Sequence, residues 1–157
     1  NKVVHKKMQP HFLKESQQRW YLAGYDSDGV LKTFGTDRIS NLRVIETEKF
    51  RRNDSIDIPA LFRDSFGIWN SPSDPMEEII LKYDALDGAF VKSLPLHSSQ
   101  EILSDTPEGI TVRLHLRITN DFVMALLARS RSVEVIRPLL LRKRLHDTYA
   151  AALERNR

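Results

Sequence analysis

The stretch ITVRLHLRIT, residues 110–119, alternates between apolar and polar side chains over its whole length. Apolar residues stand at every second position from Ile110, and polar residues such as Arg113 and His115 stand between them. Because the side chains of a β-strand point alternately to its two faces, this period predicts a strand with one buried and one solvated face.

The sequence on either side of residues 110–119 predicts an ordered series of elements. Asp121 is placed to cap a helix, and a turn is expected at 106–109, which contains Pro107 and Gly109. We predict strands over 78–83, 99–104, 110–119 and 133–136, and helices over 86–94, 122–128 and 140–153. The order β-α-β-β-α-β is that of a ferredoxin-like unit, an antiparallel sheet with both helices on one face.

The first third of the chain has the pattern of short strands joined by tight turns. Pro10 favours an extended segment, Gly29 favours a turn, and β-branched residues such as Ile39 favour strands. We predict strands over 10–14, 19–25, 30–36 and 38–45, with a turn at 26–29. Such closely spaced strands predict a small, strongly curved barrel. A further strand is expected before Lys7, and the chain is interpreted as a fragment that lacks its upstream part.

A linker is predicted between these two parts. Residues 70–75 contain two prolines and no apolar side chain. A short helix is expected before them, with Asp57 as its cap. We therefore predict an α+β protein with an SH3-like barrel over 1–52, a helical linker over 53–75, and a ferredoxin-like domain with a carboxy-terminal helix over 76–157.

Composition and charge exclude several classes of protein. With 41% hydrophobic and 29% charged residues, the 157-residue chain is typical of a globular protein. It has no cysteine, and no apolar run approaches the roughly 18 residues of a membrane span. No leader segment is visible, so a cytoplasmic protein that makes no membrane contact is expected.

Positive charge is concentrated in two regions, although the formal net charge is only +3. Residues 1–52 hold eleven Lys and Arg against six Asp and Glu, and the carboxy-terminal helix adds a second excess. Two solvated basic faces would account for this pattern, and so would a surface for phosphate groups.

The sequence contains no residue pattern expected of a catalytic or metal site. The five histidines have no metal-ligand spacing, and no glycine-rich phosphate loop occurs. Asp26-Ser27-Asp28-Gly29 is similar to the start of a calcium loop, but Leu31 stands where that loop needs glycine. His97 and Ser99 lack a third group to orient the imidazole, which favours loop hydrogen bonding over catalysis. We expect no enzyme activity, no cofactor and no metal.

The stretch Arg19-Trp20-Tyr21-Leu22 lies in a longer pattern that resembles the WYL domain family, named for its Trp-Tyr-Leu triplet. The segments 10–14, 32–34 and Asp37-Arg38-Ile39 complete that pattern over residues 8–50. The unit over 76–157 stands where a carboxy-terminal extension, WCX, follows a WYL domain, and its segment 95–100 is similar to a stretch common there.

The resemblance implies the effector-sensing half of a bacterial transcriptional regulator. In that family the WYL unit is an Sm-like SH3 barrel that binds a nucleic-acid or nucleotide-like effector, and the extension helps the protein to dimerise. A winged helix-turn-helix at the amino end binds operator DNA. No such sequence precedes Pro10, so we expect the operator-binding domain to be missing from this chain. The resemblance also implies a homodimer.

The residues near the triplet themselves suggest a ligand site. On a strand, Arg19 and Tyr21 share one face, whereas Trp20 and Leu22 share the other and are assigned with Phe34 to the core. A cationic patch with an aromatic edge suits a phosphodiester backbone and a stacked base of single-stranded nucleic acid. The candidate ligand-binding residues are His11, Arg19, Tyr21, Lys32 and Arg38.

Two of these assignments depend on local structure. Lys32 and Arg38 share a face if the returning strand is unbroken between them. Arg38 could instead form a surface ion pair with Asp37, which would contribute little.

Two alternatives remain open. Arg113, His115 and Arg117 could form a second effector surface or a solvated sheet face. The whole chain could also be a constitutive dimerisation module that binds no ligand, with the apolar face of 110–118 and the carboxy-terminal helix as subunit contacts.

Overall fold

The chain folds into two compact units, residues 1–57 and 58–157. The structure is a computed structural model that describes residues 4–51, 57–68 and 73–157, so parts of the predicted linker (53–56 and 69–72) lie outside the described residues. Each unit contains one antiparallel sheet, and the α-helices lie in the second unit. The predicted α+β class is confirmed. Among the described residues, no helix is long and apolar enough to cross a membrane.

The first unit is a meander of three strands in the order β1 (Met8–Ser16), β2 (Arg19–Asp26) and β3 (Leu31–Gly35). Gln17 and Gln18 join the first two strands with φ values of 50° and 63°, as a type I′ hairpin turn requires. The predicted turn at 26–29 is confirmed, with the Asp26 carboxylate accepting a hydrogen bond from the Val30 amide at 2.9 Å. Closure of this sheet into a small barrel stays a prediction.

The predicted strand over 38–45 is wrong. After β3 the chain enters a 3-10 turn, Thr36–Arg38, and residues 39–51 belong to no strand. The Thr36 hydroxyl donates to the Trp20 carbonyl at 3.1 Å, and Asn41 takes a positive φ of 55°. Val44 is 86% exposed. β-branched residues favour strands only where a neighbouring strand and a packed face are present, and this segment has neither.

The second unit has the predicted order of elements. Its bounds are α1 (Ile58–Arg63), β4 (Glu77–Asp84), α2 (Ala85–Ser93), β5 (Glu101–Thr106), β6 (Gly109–Leu116), α3 (Asn120–Leu127), β7 (Glu134–Arg137) and α4 (Leu139–Arg155). The sheet order is β5-β6-β4-β7, and every neighbouring pair is antiparallel. Asp121 is not the cap of α3, as predicted. Thr119 is the N-cap and accepts from the Phe122 amide, whereas Asp121 accepts from the Ile68 amide at 2.7 Å.

The alternating strand is β6, and its apolar side chains form the core of the second unit. Ile110, Val112, Leu114 and Leu116 are each at most 2% exposed, and Phe122 of α3 packs in the same cluster. The period read from the sequence therefore identified the buried face correctly. This core holds the sheet against α2, α3 and α4, as burial of several large aliphatic side chains predicts.

A buried carboxylate ties α2 to the loop before β7. Asp87 is 5% exposed and accepts hydrogen bonds from Ser132 Oγ at 2.6 Å, from Arg129 at 2.7 Å and from Arg131 at 3.3 Å. The Ser132 hydroxyl, together with the two guanidinium groups, lowers the pKa of the Asp87 carboxyl against the opposing effect of desolvation. The ionised form is therefore the one that this part of the fold stabilises.

We predict that Asp87→Asn lowers the stability of the chain at neutral pH and removes part of its acid sensitivity. Because the folded pKa lies below the unfolded value of about 3.9, the stabilisation is complete above that value and is lost as the pH falls through the folded pKa. Urea unfolding followed by circular dichroism at pH 7 and pH 3 measures this: the gap between wild type and variant should narrow at pH 3. The exposed Glu134→Gln is the control, and an equal gap at both pH values would contradict the prediction.

Candidate functional site

The register of the first sheet sorts the candidate residues onto two faces. Tyr21 lies opposite Lys14 of β1 and opposite Gly35 of β3, and Arg19 lies opposite Ser16. Because directly opposed residues in a sheet share a face, Lys14, Arg19 and Tyr21 lie on the same side. We call this side the Tyr21 face.

The turn after β3 brings further groups to the Tyr21 face. A Cβ atom placed on Gly35 would lie 3.8 Å from Tyr21 Cε1, 3.9 Å from Arg38 Cδ and 2.7 Å from Asp37 Oδ1. The side chains of Tyr21, Asp37 and Arg38 thus lie around Gly35, which has no side chain of its own. We call Arg19, Tyr21, Gly35, Asp37 and Arg38 the Tyr21 cluster.

The charges of the Tyr21 cluster are only partly neutralised. Arg19 Nη1 lies 3.8 Å from Asp37 Oδ2, and both side chains are more than half exposed, so this is a weak surface pair. In the described parts of the chain, Arg38 makes neither an ion pair nor a hydrogen bond, so the alternative of a surface ion pair with Asp37 is not formed. The cluster contains two arginines and one carboxylate, that of Asp37, which pairs with Arg19, so the cluster has a positive excess.

Lys32 does not belong to the Tyr21 cluster. It lies opposite Gly24, which is three residues from Tyr21 on β2. Because positions an odd number apart on a strand face opposite sides, the Lys32 side chain is on the other face of the sheet. Lys32 and Arg38 were expected to share a face if the strand were unbroken between them, and this condition is not met because the strand ends at Gly35, three residues before Arg38. Two residues an even number of positions apart share a face only within one strand, and a 3-10 turn between them removes this relation.

His11 lies on the sheet but away from the Tyr21 cluster. It occupies the irregular position between Pro10 and Phe12, where the register of β1 shifts. Its ring packs edge-on against Tyr25 at 4.8 Å and Phe50 at 5.3 Å between ring centroids. Since Tyr25 is four residues from Tyr21 on β2, the separation along the strand is about 13 Å.

Three residues of the Tyr21 face or the Tyr21 cluster were not among the ligand-binding residues predicted from the sequence. Lys14 faces Tyr21 across the hairpin, a relation that a two-residue turn at 17–18 would have predicted. Gly35 and Asp37 were not assigned because their role depends on the turn after β3. A glycine between a strand and an Asp-Arg pair is the feature that points to them.

The strand alternation predicted Trp20 as a core residue, and this prediction is wrong. It is 53% exposed, and Leu13 on the same face is 59% exposed, whereas Leu22 and Phe34 are half-buried. Within residues 4–51 the buried hydrophobic residues are Ala23 and Tyr25. The outer position of Trp20 near the hairpin end, opposite Glu15, explains its exposure.

The candidate second surface on β6 is neutralised by carboxylates. Arg113 lies 2.5 Å from Glu101 and 3.9 Å from Glu78, and His115 lies 3.8 Å from Glu78. Arg117 is directed to Asp64 at 3.4 Å. These contacts favour an ion-paired sheet face over an anion site.

The segment 95–100 makes structural hydrogen bonds. His97 Nε2 donates to the Arg63 carbonyl at 2.7 Å, and its Nδ1 lies 2.8 Å from Ser99 Oγ. The Ser99 hydroxyl also bonds both backbone groups of His115 at 3.0 Å, and the Gln100 amide donates to the backbone of α2. The loop thus joins α1, α2 and β6, which accounts for its histidine and serine without catalysis.

We predict that His97→Ala lowers the free energy of unfolding by about 1–3 kcal/mol, because the Arg63 carbonyl and the Ser99 hydroxyl each lose a partner. The control is His146→Ala on the exposed side of α4, which should change stability by less than about 0.5 kcal/mol. Urea unfolding measures both. Equal stability of the two variants would contradict a structural role for His97.

Comparison with known proteins gives one match to a family and a weak likeness in structure. The model of the WYL domain family matches residues 1–44. A search of curated proteins gave no match. Among solved structures, proteasome accessory factor B/C (PafBC) of Arthrobacter aurescens is similar with a TM-score of 0.39 and 18% identity, over 89% of this chain and 21% of that chain. The chain thus spans about one fifth of the length of that protein. The family match supports a WYL domain in the amino-terminal part of the chain.

Proposed function

We propose that the first unit is an effector-sensing WYL domain of a bacterial transcriptional regulator, and that it binds single-stranded nucleic acid or a nucleotide-like ligand at the Tyr21 cluster. The observation that carries this proposal is that Tyr21 and Arg38 lie beside Gly35, with Arg19 on the same strand face as Tyr21 and no carboxylate on Arg38 among the described residues. The family match over residues 1–44 supports the same assignment.

The chemistry of the cluster fits such a ligand. A guanidinium group can donate two parallel hydrogen bonds to a phosphate, which an ammonium group cannot do with the same geometry. A base stacked on an aromatic side chain contributes about 1–3 kcal/mol. Tyr21 shares its strand face with Arg19 and lies near Arg38 beside Gly35, so the proposal assigns the base to the ring and the phosphate to a guanidinium group.

The second unit would serve as the WCX extension of this regulator. Its antiparallel strand order, β5-β6-β4-β7, with a helix after β4 and another after β6, supports a ferredoxin-like unit. In this proposal the protein is a cytoplasmic homodimer without enzymatic activity, cofactor or metal. Effector binding would shift the regulator's operator-binding domain between two states by binding one of them more tightly.

The alternative of a constitutive dimerisation module has lost part of its support. The apolar residues of β6, on which that alternative relied, are buried inside the second unit and cannot make subunit contacts. Of the two surfaces named for that alternative, the exposed side of α4 is the one left. The ligand-binding proposal is therefore the one the geometry supports best.

A matched pair of variants tests the proposal. We expect wild-type protein to bind a fluorescein-labelled single-stranded oligonucleotide with an affinity that falls steeply with salt, and Arg38→Ala to weaken binding about tenfold. The control is Lys32→Ala, which removes the same charge from the opposite face and should leave the affinity nearly unchanged. Fluorescence anisotropy over a range of salt concentrations measures both.

Two results would contradict the proposal. One is equal loss of affinity in Arg38→Ala and Lys32→Ala, which would indicate unspecific attraction to a basic domain. The other is binding that does not depend on salt and does not change in Arg38→Ala. Sedimentation with and without oligonucleotide would then show whether the chain is a ligand-independent dimer.

A further inference from the structure

Helix α4 contacts the rest of the second unit through a narrow stripe. It packs on β7 and α3, and its buried residues are Leu141 and Leu145. Leu140 and Leu153 are 73% and 65% exposed. Most of the surface of this 17-residue helix is therefore open to solvent in the chain.

A shallow, open region of about 650 Å³ lies along one side of the helix, and we call it the α4 groove. The residues that line it all belong to α4 and include Leu140, Lys143, Arg144, Asp147, Ala151 and Arg155. These residues recur at intervals of three and four positions, which places them on one stripe of the helix. Lys143 and Arg155 are about 18 Å apart along the axis.

The α4 groove carries more positive than negative charge. In the described parts of the chain, Lys143 and Arg155 have no ion pair, and Arg144 bonds a neutral group, the Asn120 side chain, at 3.2 Å. The carboxylate in the groove is Asp147, which lies near the middle and contacts His146 at 3.3 Å. The two ends of the groove are thus cationic, and its centre is acidic.

We infer that the α4 groove docks an amphipathic helix of a partner protein that carries acidic residues toward both ends and a basic residue near its centre. Leu140 offers an apolar contact, and the small side chain of Ala151 permits close approach of another helix. A length of about 18 Å corresponds to about three turns of the docked helix. Cations at both ends and Asp147 between them give the charge pattern that the partner must complement.

The same charges disfavour two other occupants. A second copy of α4 would place a net positive stripe against another, and like charges across an interface oppose association. A nucleic-acid strand along the groove would pass the Asp147 carboxylate at its centre and would leave Leu140 without an apolar partner. An amphipathic helix with acidic ends is attracted by the cations at both ends of the groove, and its apolar face can contact Leu140.

The test uses the full chain and a synthetic probe, an 18-residue helical peptide with leucines on one face, glutamates toward both ends and one central lysine. We expect saturable binding by fluorescence anisotropy. The double variant Lys143→Glu/Arg155→Glu should weaken it about tenfold. The control is Arg43→Glu/Lys82→Glu, which makes the same change of net charge at exposed positions outside the groove and should bind like wild type. Circular dichroism checks that every variant is folded.

Several outcomes would overturn the inference. They are the absence of saturable peptide binding, an equal loss in the control variant, and equal binding of a peptide with lysines in place of the glutamates. A groove variant that weakens only oligonucleotide binding would assign the surface to nucleic acid. One that converts a wild-type dimer to monomers would assign it to a second copy.

Discussion

The candidate site depends on the register of β2 between its two neighbours. Tyr21 is opposite Lys14 on one side and opposite Gly35 on the other, and these pairings decide which side chains share its face. A shift of one residue in either pairing would move every side chain of the shifted strand to the other face. The two-residue turn at 17–18 fixes the first register, and the Thr36 bond to the Trp20 carbonyl holds the chain as it leaves the second.

The second unit was predictable from the sequence to a large extent because its core follows a local period. The alternation of β6 requires no knowledge of its neighbours, and the buried residues are those that the period selects. The cap of α3 was misplaced by two residues because Thr119 and Asp121 are both suitable caps in sequence. Asp121 instead bonds Ile68, a distant contact with no local signature.

The first unit was less predictable because its site is formed by the ends of strands. Gly35 is the one local sign that β3 ends there, and the shared face of Lys32 and Arg38 depended on a strand that continued past it. Trp20 was assigned to the core because it shares a strand face with Leu22, although its position near the hairpin end leaves it exposed. Residues 39–45 have strand propensity but no adjacent strand, and propensity does not decide structure without such a partner.

The buried carboxylate of Asp87 has a consequence for how the second unit assembles. Its donors from the loop before β7 come from residues 42 to 45 positions later in the chain. A desolvated carboxylate without these donors is unfavourable, so the docked form of α2 and the ordered form of that distant loop require each other. Helix and loop should consequently open together in native-state hydrogen exchange, as one cooperative block.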